Sequence, residues 1–336
     1  MEKTIVTQVR KLAPSASVIT DEYEKNHYWS VMLQYWRLPP HIEHFPGANP
    51  MSLEESDFER LQTDDFLAAL KTDGVRHMLM LTSKPNSSDP IAIMIDRARR
   101  YFELEIWANE DFFQQGSLYD GELIWEGDSL VFIVFDVVVA KGVHCSRLSY
   151  RERMMIVHNT VLCVSESHSD ESIEQMISEE SKFLARNNDN ALRIIPKKTV
   201  AKANLRTLWD ERMLSGHHND GVIFTLNSAP VETGTSPSIL KWKPAHSIDV
   251  WIDWCEGWKL AANQNNSAEL IDMSNTFQMY TVRVCETKLL DVVRARMPCI
   301  LECIIEVSGN VLSLLPERKR TDKTSPNTVK TIEATI

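Results

Sequence analysis

A chain of 336 residues, 43% hydrophobic and 25% charged, has ordinary globular composition and is long enough for a real core and two domains. Its 36 basic and 47 acidic residues leave a net charge of −11, which excludes a broad electrostatic grip on nucleic-acid backbone and confines any RNA contact to a short basic channel. Six cysteines without a Cys-x-x-Cys spacing indicate neither a zinc site nor a disulfide framework, no apolar stretch approaches the length of a membrane span, and no signal-peptide core opens the chain, so a soluble intracellular protein is expected.

In chain order, Trp29, Met32, Leu33 and Trp36 stand at i, i+3, i+4 and i+7 within residues 20–37. That spacing predicts a helix with one apolar stripe, stopped by Pro39-Pro40, its tryptophans in the core. Phe45-Pro46-Gly47-Ala48-Asn49-Pro50 is a turn-rich approach to the next element. There, Asp73-Gly74 separates two apolar runs, Phe66 to Leu70 and Val75 to Leu81. This predicts a strand, a tight turn with positive φ and a returning strand, with Lys71 held at a strand end. A lysine becomes a nucleophile only as the neutral amine, which burial and neighbouring cations favour.

Ile91 to Ile95 is a short apolar run ending in Asp96-Arg97, and Leu118 to Ile124 reads as a strand carrying Asp120-Gly121-Glu122. Leu130 to Val139 is apolar apart from Asp136, the pattern of a strand buried on both faces. Residues 147–162 are expected to be helical through Met154, Val157 and Val161. The acidic stretch from Ser165 to Asn190 is expected to be a solvated insertion holding an amphipathic helix through Ile173, Met176, Ile177 and Leu184. A helix through Leu205, Leu208 and Trp209 leads to His217-His218-Asn219-Asp220-Gly221, a polar turn before a strand, since the paired histidines lack a third ligand at useful spacing. Lys241 and Lys243 sit two apart and would point the same way on a strand. After Pro244, short strands are expected at 247–254, 277–284, 300–307 and 311–315, the last two joined by Ser308-Gly309-Asn310, which suits a small barrel.

Lys71-x-Asp73-Gly74-x-Arg76, Asp120-Gly121-Glu122, Asp220-Gly221, Leu240-Lys241-Trp242-Lys243-Pro244 and Arg320-x-Asp322-Lys323, in that order, resemble the covalent nucleotidyltransferase superfamily of mRNA capping guanylyltransferases and polynucleotide ligases. Within it the chain looks most like a capping guanylyltransferase, particularly the compact stand-alone enzymes of large DNA viruses. Phe45 to Leu53, Leu-Lys-Trp-Lys-Pro and Pro326-Asn327 carry that narrower likeness, which spans residues 45–330. The resemblance implies an α+β fold: a nucleotidyltransferase domain of antiparallel sheets flanked by helices over 1–243, a C-terminal OB-fold β-barrel over 244–323, and a tail, 324–336, that packs on the first domain or is disordered. The tryptophan that often precedes the family's last motif is absent here.

The resemblance makes Lys71 the nucleophile, with Arg76, Lys241 and Lys243 around the α-phosphate of GTP, where they would also favour the neutral amine. Arg320, Asp322 and Lys323 are implied to engage the β- and γ-phosphates when the domains close, and Asp249 is the acidic position at the junction. Thr72 and Arg97 are nucleotide-binding positions, Arg97 at the sugar and phosphate end. Phe135 would stack on the base, and Lys197 or Lys198 would approach the guanine carbonyl. Glu122 and Asp220 would hold Mg²⁺ or Mn²⁺. The implied product is a GpppN cap on a 5′-diphosphate RNA end, formed through lysyl-GMP. RNA triphosphatase, cap methyltransferase or RNA polymerase are the implied partners, no membrane is involved, and the place of work is the nucleus or, for a viral source, the virus replication compartment. The alternatives are an ATP-dependent DNA or RNA ligase acting through lysyl-AMP and an inactive scaffold, the latter at odds with an intact lysine motif.

Overall fold

In the computed structural model, which describes residues 17–126, 129–161, 183–185, 192–253, 257–263, 266–284, 297–320 and 325–333, the chain divides into two units, Met1–Trp242 and Lys243–Ile336. The first unit is built on two sheets. The larger has eight strands, in the order Ser17–Ile19, Tyr101–Leu104, Pro90–Asp96, Val75–Ser83, Ser117–Glu126, Ser129–Ala140 and Val143–His144, with Leu192–Pro196 added alongside Ser129–Ala140. Alternation along Val75–Ser83 sets its layers, because successive strand side chains face opposite ways. Met78 and Met80 pack with Tyr28, Trp29, Met32 and Leu33 of the Glu22–Tyr35 helix. Leu79 and Leu81 join Met154 and Val157 of the Tyr150–Thr160 helix. Both helices begin on a side-chain cap: Asp21 accepts from Glu24 N–H, and Ser149 exchanges hydrogen bonds with Glu152.

The second sheet runs Thr199–Ala201, Phe66–Thr72, Asn219–Leu226, Gly234–Trp242 and Ala48–Ser52. Phe66, Ala68, Val222, Phe224 and Leu240 form its core, covered by Leu205 and Leu208 of the Leu205–Asp210 helix. The expectation of wholly antiparallel sheets is corrected here. Leu192–Pro196 runs parallel to Ser129–Ala140, and Ala48–Ser52 parallel to Gly234–Trp242.

The expected hairpin at Asp73-Gly74 is also corrected. Phe66–Thr72 pairs with Thr199–Ala201 and Asn219–Leu226, whereas Val75–Ser83 pairs with Pro90–Asp96 and Ser117–Glu126. Asp73-Gly74 therefore carries the chain from one sheet to the other. The glycine is required for close approach and not for positive φ: a Cβ there would lie 2.5 Å from Ile124 Cγ2 and 2.6 Å from the Leu123 carbonyl oxygen. The chain thus crosses directly over the strand that carries Glu122. Leu184, expected on a helix, stands in the short strand Phe183–Ala185, antiparallel to Ile106–Ala108; Ile173, Met176 and Ile177 lie outside the described residues.

The second unit is a six-stranded sheet in the order Asn266–Asp272, Gly257–Asn263, Ser247–Asp253, Cys299–Ser308, Val311–Lys319 and Thr281–Val284. Its first two strands escaped the sequence reading because their Asn- and Gln-rich connection carries little period-two patterning. The strand expected from Phe277 begins at Thr281, Phe277 being buried just after the Met273–Thr276 helix. Gly309, at φ +60, makes the turn between the two strands predicted to flank it. The tail carries a helix, Val329–Glu333, whose Ile332 is fully buried in this unit's own core.

Candidate active site

Lys71 sits where the buried run Phe66–Ala69 gives way to the strand end. Its Nζ donates to Asp220 Oδ1 at 2.6 Å, with side chains 21% and 18% exposed. The register places Lys71 opposite Gly221, and Ala69 opposite Ile223, which in turn faces Lys241. Residues paired across a sheet share a face, so Lys241 projects from the same face as Lys71, two strands over. The strand ends at Trp242, so Lys243 is not a strand partner of Lys241 as expected from their spacing. A carboxylate, Asp220, is the hydrogen-bond partner of Lys71, and the Lys71 charge acts on Lys197 nearby.

Lys197 follows the Leu192–Pro196 strand, and its backbone N–H donates to the Val134 carbonyl at 2.7 Å. Its buried Nζ donates to Thr72 Oγ1 at 2.9 Å, and the Thr72 hydroxyl passes the chain on to Glu122 Oε2. Glu122 Oε1 accepts the Gly74 N–H at 3.2 Å. Lys197, Thr72 and Glu122 are thus one hydrogen-bonded line beside Lys71. Lys198 is exposed and pairs with Glu211, so these two lysines occupy different surroundings.

Burial pushes the Lys197 ammonium down to about 8, opposed by the Glu122 carboxylate and assisted by Lys71. Because this folded-state value lies below that of the unfolded chain, the folded form gives up its proton first. The penalty of burying the charge is full below about pH 8 and is relieved as pH rises toward the ordinary lysine value of 10.5. Lys197→Met is therefore expected to be more stable than the wild type near neutral pH, with the gap narrowing by about 2 kcal/mol on the way to pH 10 in denaturant titrations.

Arg76 stands directly opposite Glu122 on the neighbouring strand. Its guanidinium makes a two-point pair with Asp120, Nε to Oδ1 at 2.9 Å and Nη2 to Oδ2, and donates to the Ala48 carbonyl at 2.6 Å. It lies 6.0 Å from the Phe45 ring centroid and 5.4 Å from that of Phe135. Gly47, at φ +113, leaves room for it, since a Cβ there would sit 2.4 Å from Nη2. Phe135 is half-buried on the Ser129–Ala140 strand, and its carbonyl accepts from Tyr150 OH at 3.1 Å. Arg97 is exposed and donates to Asn49 Oδ1 at 3.0 Å. The sequence reading missed Asp120 as the holder of Arg76, although its place beside Glu122 in Asp120-Gly121-Glu122 was visible.

In the second unit, Lys243 Nζ is 3.8 Å from Glu302, and Arg320 Nη1 is 2.9 Å from the buried Asp249. Asn327 holds the Asp249 backbone twice, accepting its N–H at 2.6 Å and donating to its carbonyl at 2.7 Å. Asp322 and Lys323 lie outside the described residues.

Among the described residues no cluster of three or more His, Cys, Asp and Glu side chains is placed to hold a metal. The pair Glu122 and Asp220 nonetheless fits Mg²⁺ or Mn²⁺, since Mg²⁺ is commonly bound through one or two carboxylates completed by substrate phosphates and water. Glu122 accepts from Thr72 and Asp220 from Lys71, the adjacent residue, so both carboxylates meet the same strand end.

The family model described as mRNA capping enzyme, catalytic domain, matches residues 13–245. The mRNA-capping enzyme subunit alpha of Schizosaccharomyces pombe is 27% identical over 214 residues, 60% of this chain and 50% of that protein. The mRNA-capping enzyme of Caenorhabditis elegans is 22% identical over 323 residues, 87% of this chain and 46% of that protein. The chain thus spans about half the length of the curated relatives it matches. A solved structure, mycobacterial DNA ligase D complexed with ATP and MES, covers 82% of this chain and 94% of its own at 11% identity and a TM-score of 0.40. No helix among the described residues is long and apolar enough to cross a membrane.

Proposed function

This chain belongs to the mRNA capping enzyme catalytic-domain family, and from that premise we propose that it is an mRNA guanylyltransferase that carries GMP on Lys71. The observation that carries the reading is the contact of Lys71 Nζ with Asp220 Oδ1 at 2.6 Å, beside the Lys197–Thr72–Glu122 line. In the first step the amine gives a proton to Asp220 and attacks the α-phosphorus of GTP. The nitrogen–phosphorus bond forms as the bond to the β-phosphate oxygen breaks, and pyrophosphate leaves. In the second step a terminal phosphate oxygen of a 5′-diphosphate RNA attacks the same phosphorus, the nitrogen–phosphorus bond breaks and Lys71 recovers a proton.

The remaining residues bind and orient. Phe135 offers its face to the base, and Lys197, a donor, suits the 6-oxygen of guanine and opposes the 6-amine of adenine. Arg97 and Thr72 are assigned to the nucleotide, Arg76, Lys241 and Lys243 to the α-phosphate, and Arg320, Asp322 and Lys323 to the leaving phosphates, with Asp249 behind Arg320. Lys198, paired with Glu211 at the surface, is left without a nucleotide role. A divalent cation held by Glu122 and Asp220 would neutralise charge on the α-phosphate.

We further infer that the two units, which meet between Trp242 and Lys243, are two domains and that the second is an OB-type barrel. Its six strands, antiparallel but for the pairing of Thr281–Val284 with Val311–Lys319, support that reading. A nuclear place of work and the enzymes acting before and after guanylylation as partners follow from the same family. Incubation with α-labelled GTP or ATP and a divalent metal, followed by a denaturing gel, tests it. Label is expected from GTP and to be discharged by 5′-diphosphate RNA. Label from ATP instead would identify a ligase.

A further inference from the structure

Asp249, Glu302 and Arg318 stand side by side on three neighbouring strands of the second unit, Asp249 opposite Glu302 and Glu302 opposite Arg318. Two carboxylates directly opposite each other repel, and the structure shows what offsets this. Arg320 Nη1 reaches Asp249 Oδ1 at 2.9 Å and Glu302 Oε2 at 3.4 Å, Arg318 Nε donates to Glu302 Oε2 at 2.6 Å, and Lys243 Nζ lies 3.8 Å from Glu302 Oε1. Ser247 Oγ donates to that same Oε1 at 2.7 Å. Glu302 is thus the shared counter-ion of Lys243 and Arg320, and its side chain is only 12% exposed. These are the two cations of the described residues in this unit that the proposed function gives to the phosphates of the nucleotide. No motif pointed to Glu302, which shares the largely apolar strand Cys299–Ser308 with Glu306.

We propose that Glu302 is a positioning residue that competes with the phosphates of the nucleotide for Lys243 and Arg320. It holds both cations in place before the polyphosphate arrives, yields them to it, and takes them back as pyrophosphate leaves. The physical ground is that one carboxylate cannot keep full ion pairs with two cations that are simultaneously drawn to a more highly charged anion. The inference rests on the guanylyltransferase reading only for the identity of that anion.

Calorimetric titration of the full chain with inorganic tripolyphosphate tests it without the covalent step, so a failure to form lysyl-GMP would be seen separately, in the labelling reaction. Glu302→Gln keeps the side chain's shape and removes its charge. It is expected to bind tripolyphosphate about three- to five-fold more tightly than the wild type, and to gain at most half as much when Arg320→Gln is already present. In the labelling reaction the same variant should lower KM for GTP without raising kcat. Equal or weaker tripolyphosphate binding, an undiminished gain in the Arg320→Gln background, or no binding by any variant would overturn the proposal. Should Glu302→Gln lack a cooperative thermal transition, the neutral change Ser247→Ala is read instead. By freeing Oε1 for Lys243 it should weaken tripolyphosphate binding about two-fold, and unchanged or tighter binding overturns the proposal.

Discussion

Replacing Lys71 with alanine is expected to abolish covalent labelling by GTP, a loss of at least about 10³-fold, because no other group replaces a covalent nucleophile. The fold should survive. Lys71 and Asp220 are each about one-fifth exposed, so losing their ion pair should shift stability by about 1 kcal/mol or less. Thermal unfolding and labelling, measured on the same preparation, separate the two effects. Asp220→Asn is the informative companion. It keeps a hydrogen-bond acceptor for Lys71 Nζ but cannot take up its proton, so labelling should fall steeply while the unfolding midpoint holds. If Asp220→Asn labelled at the wild-type rate, Asp220 would not be the proton acceptor.

The second large effect concerns stability. Arg153 is 1% exposed, inside the Tyr150–Thr160 helix. Its guanidinium bonds Asp136 Oδ1 at 2.7 Å and Oδ2 at 3.1 Å, and donates to the Leu148 and Ala229 carbonyls, each at 2.7 Å. Asp136→Ala would strand that cation in the core and is expected to cost about 3–5 kcal/mol in denaturant unfolding. Removing both charges with Asp136→Ala and Arg153→Met should recover a substantial part of the loss, since the buried guanidinium is then gone. Equal losses in the single and double variants would show that the charge is not what matters. Because Asp136 follows Phe135 on the same strand, the single variant should also weaken nucleotide binding.

Those two sites mark the limit of what the chain discloses as a sequence. Strands and helices were legible wherever local periodicity was strong: Trp29, Met32 and Leu33 on the capped helix, Leu130 to Val139 as a buried strand, and the turn at Gly309. Pairing was not, because it is set by contacts far apart in the chain. Asp73-Gly74 looks like a hairpin locally, yet the apolar run before it is buried between Thr199–Ala201 and Asn219–Leu226. Arg153 did leave a signal, a charged residue four before Val157 on the helix's apolar side, which calls for a buried partner. The motif cations stood out by residue type, but the carboxylates that pair with them, Asp120 with Arg76, Asp220 with Lys71 and Glu302 with Lys243, became partners only through the fold. The separate surroundings of Lys197 and Lys198 likewise depended on the strand ending at Pro196 and on its parallel pairing.

The site of nucleotide attachment is the most direct measurement. After incubation with GTP and a divalent metal, proteolysis and mass spectrometry should place GMP on the peptide containing Lys71, with no other lysine modified. GMP found instead on Lys197, the buried lysine whose pKa is lowered to about 8, or on no lysine of a folded preparation, would contradict the assignment.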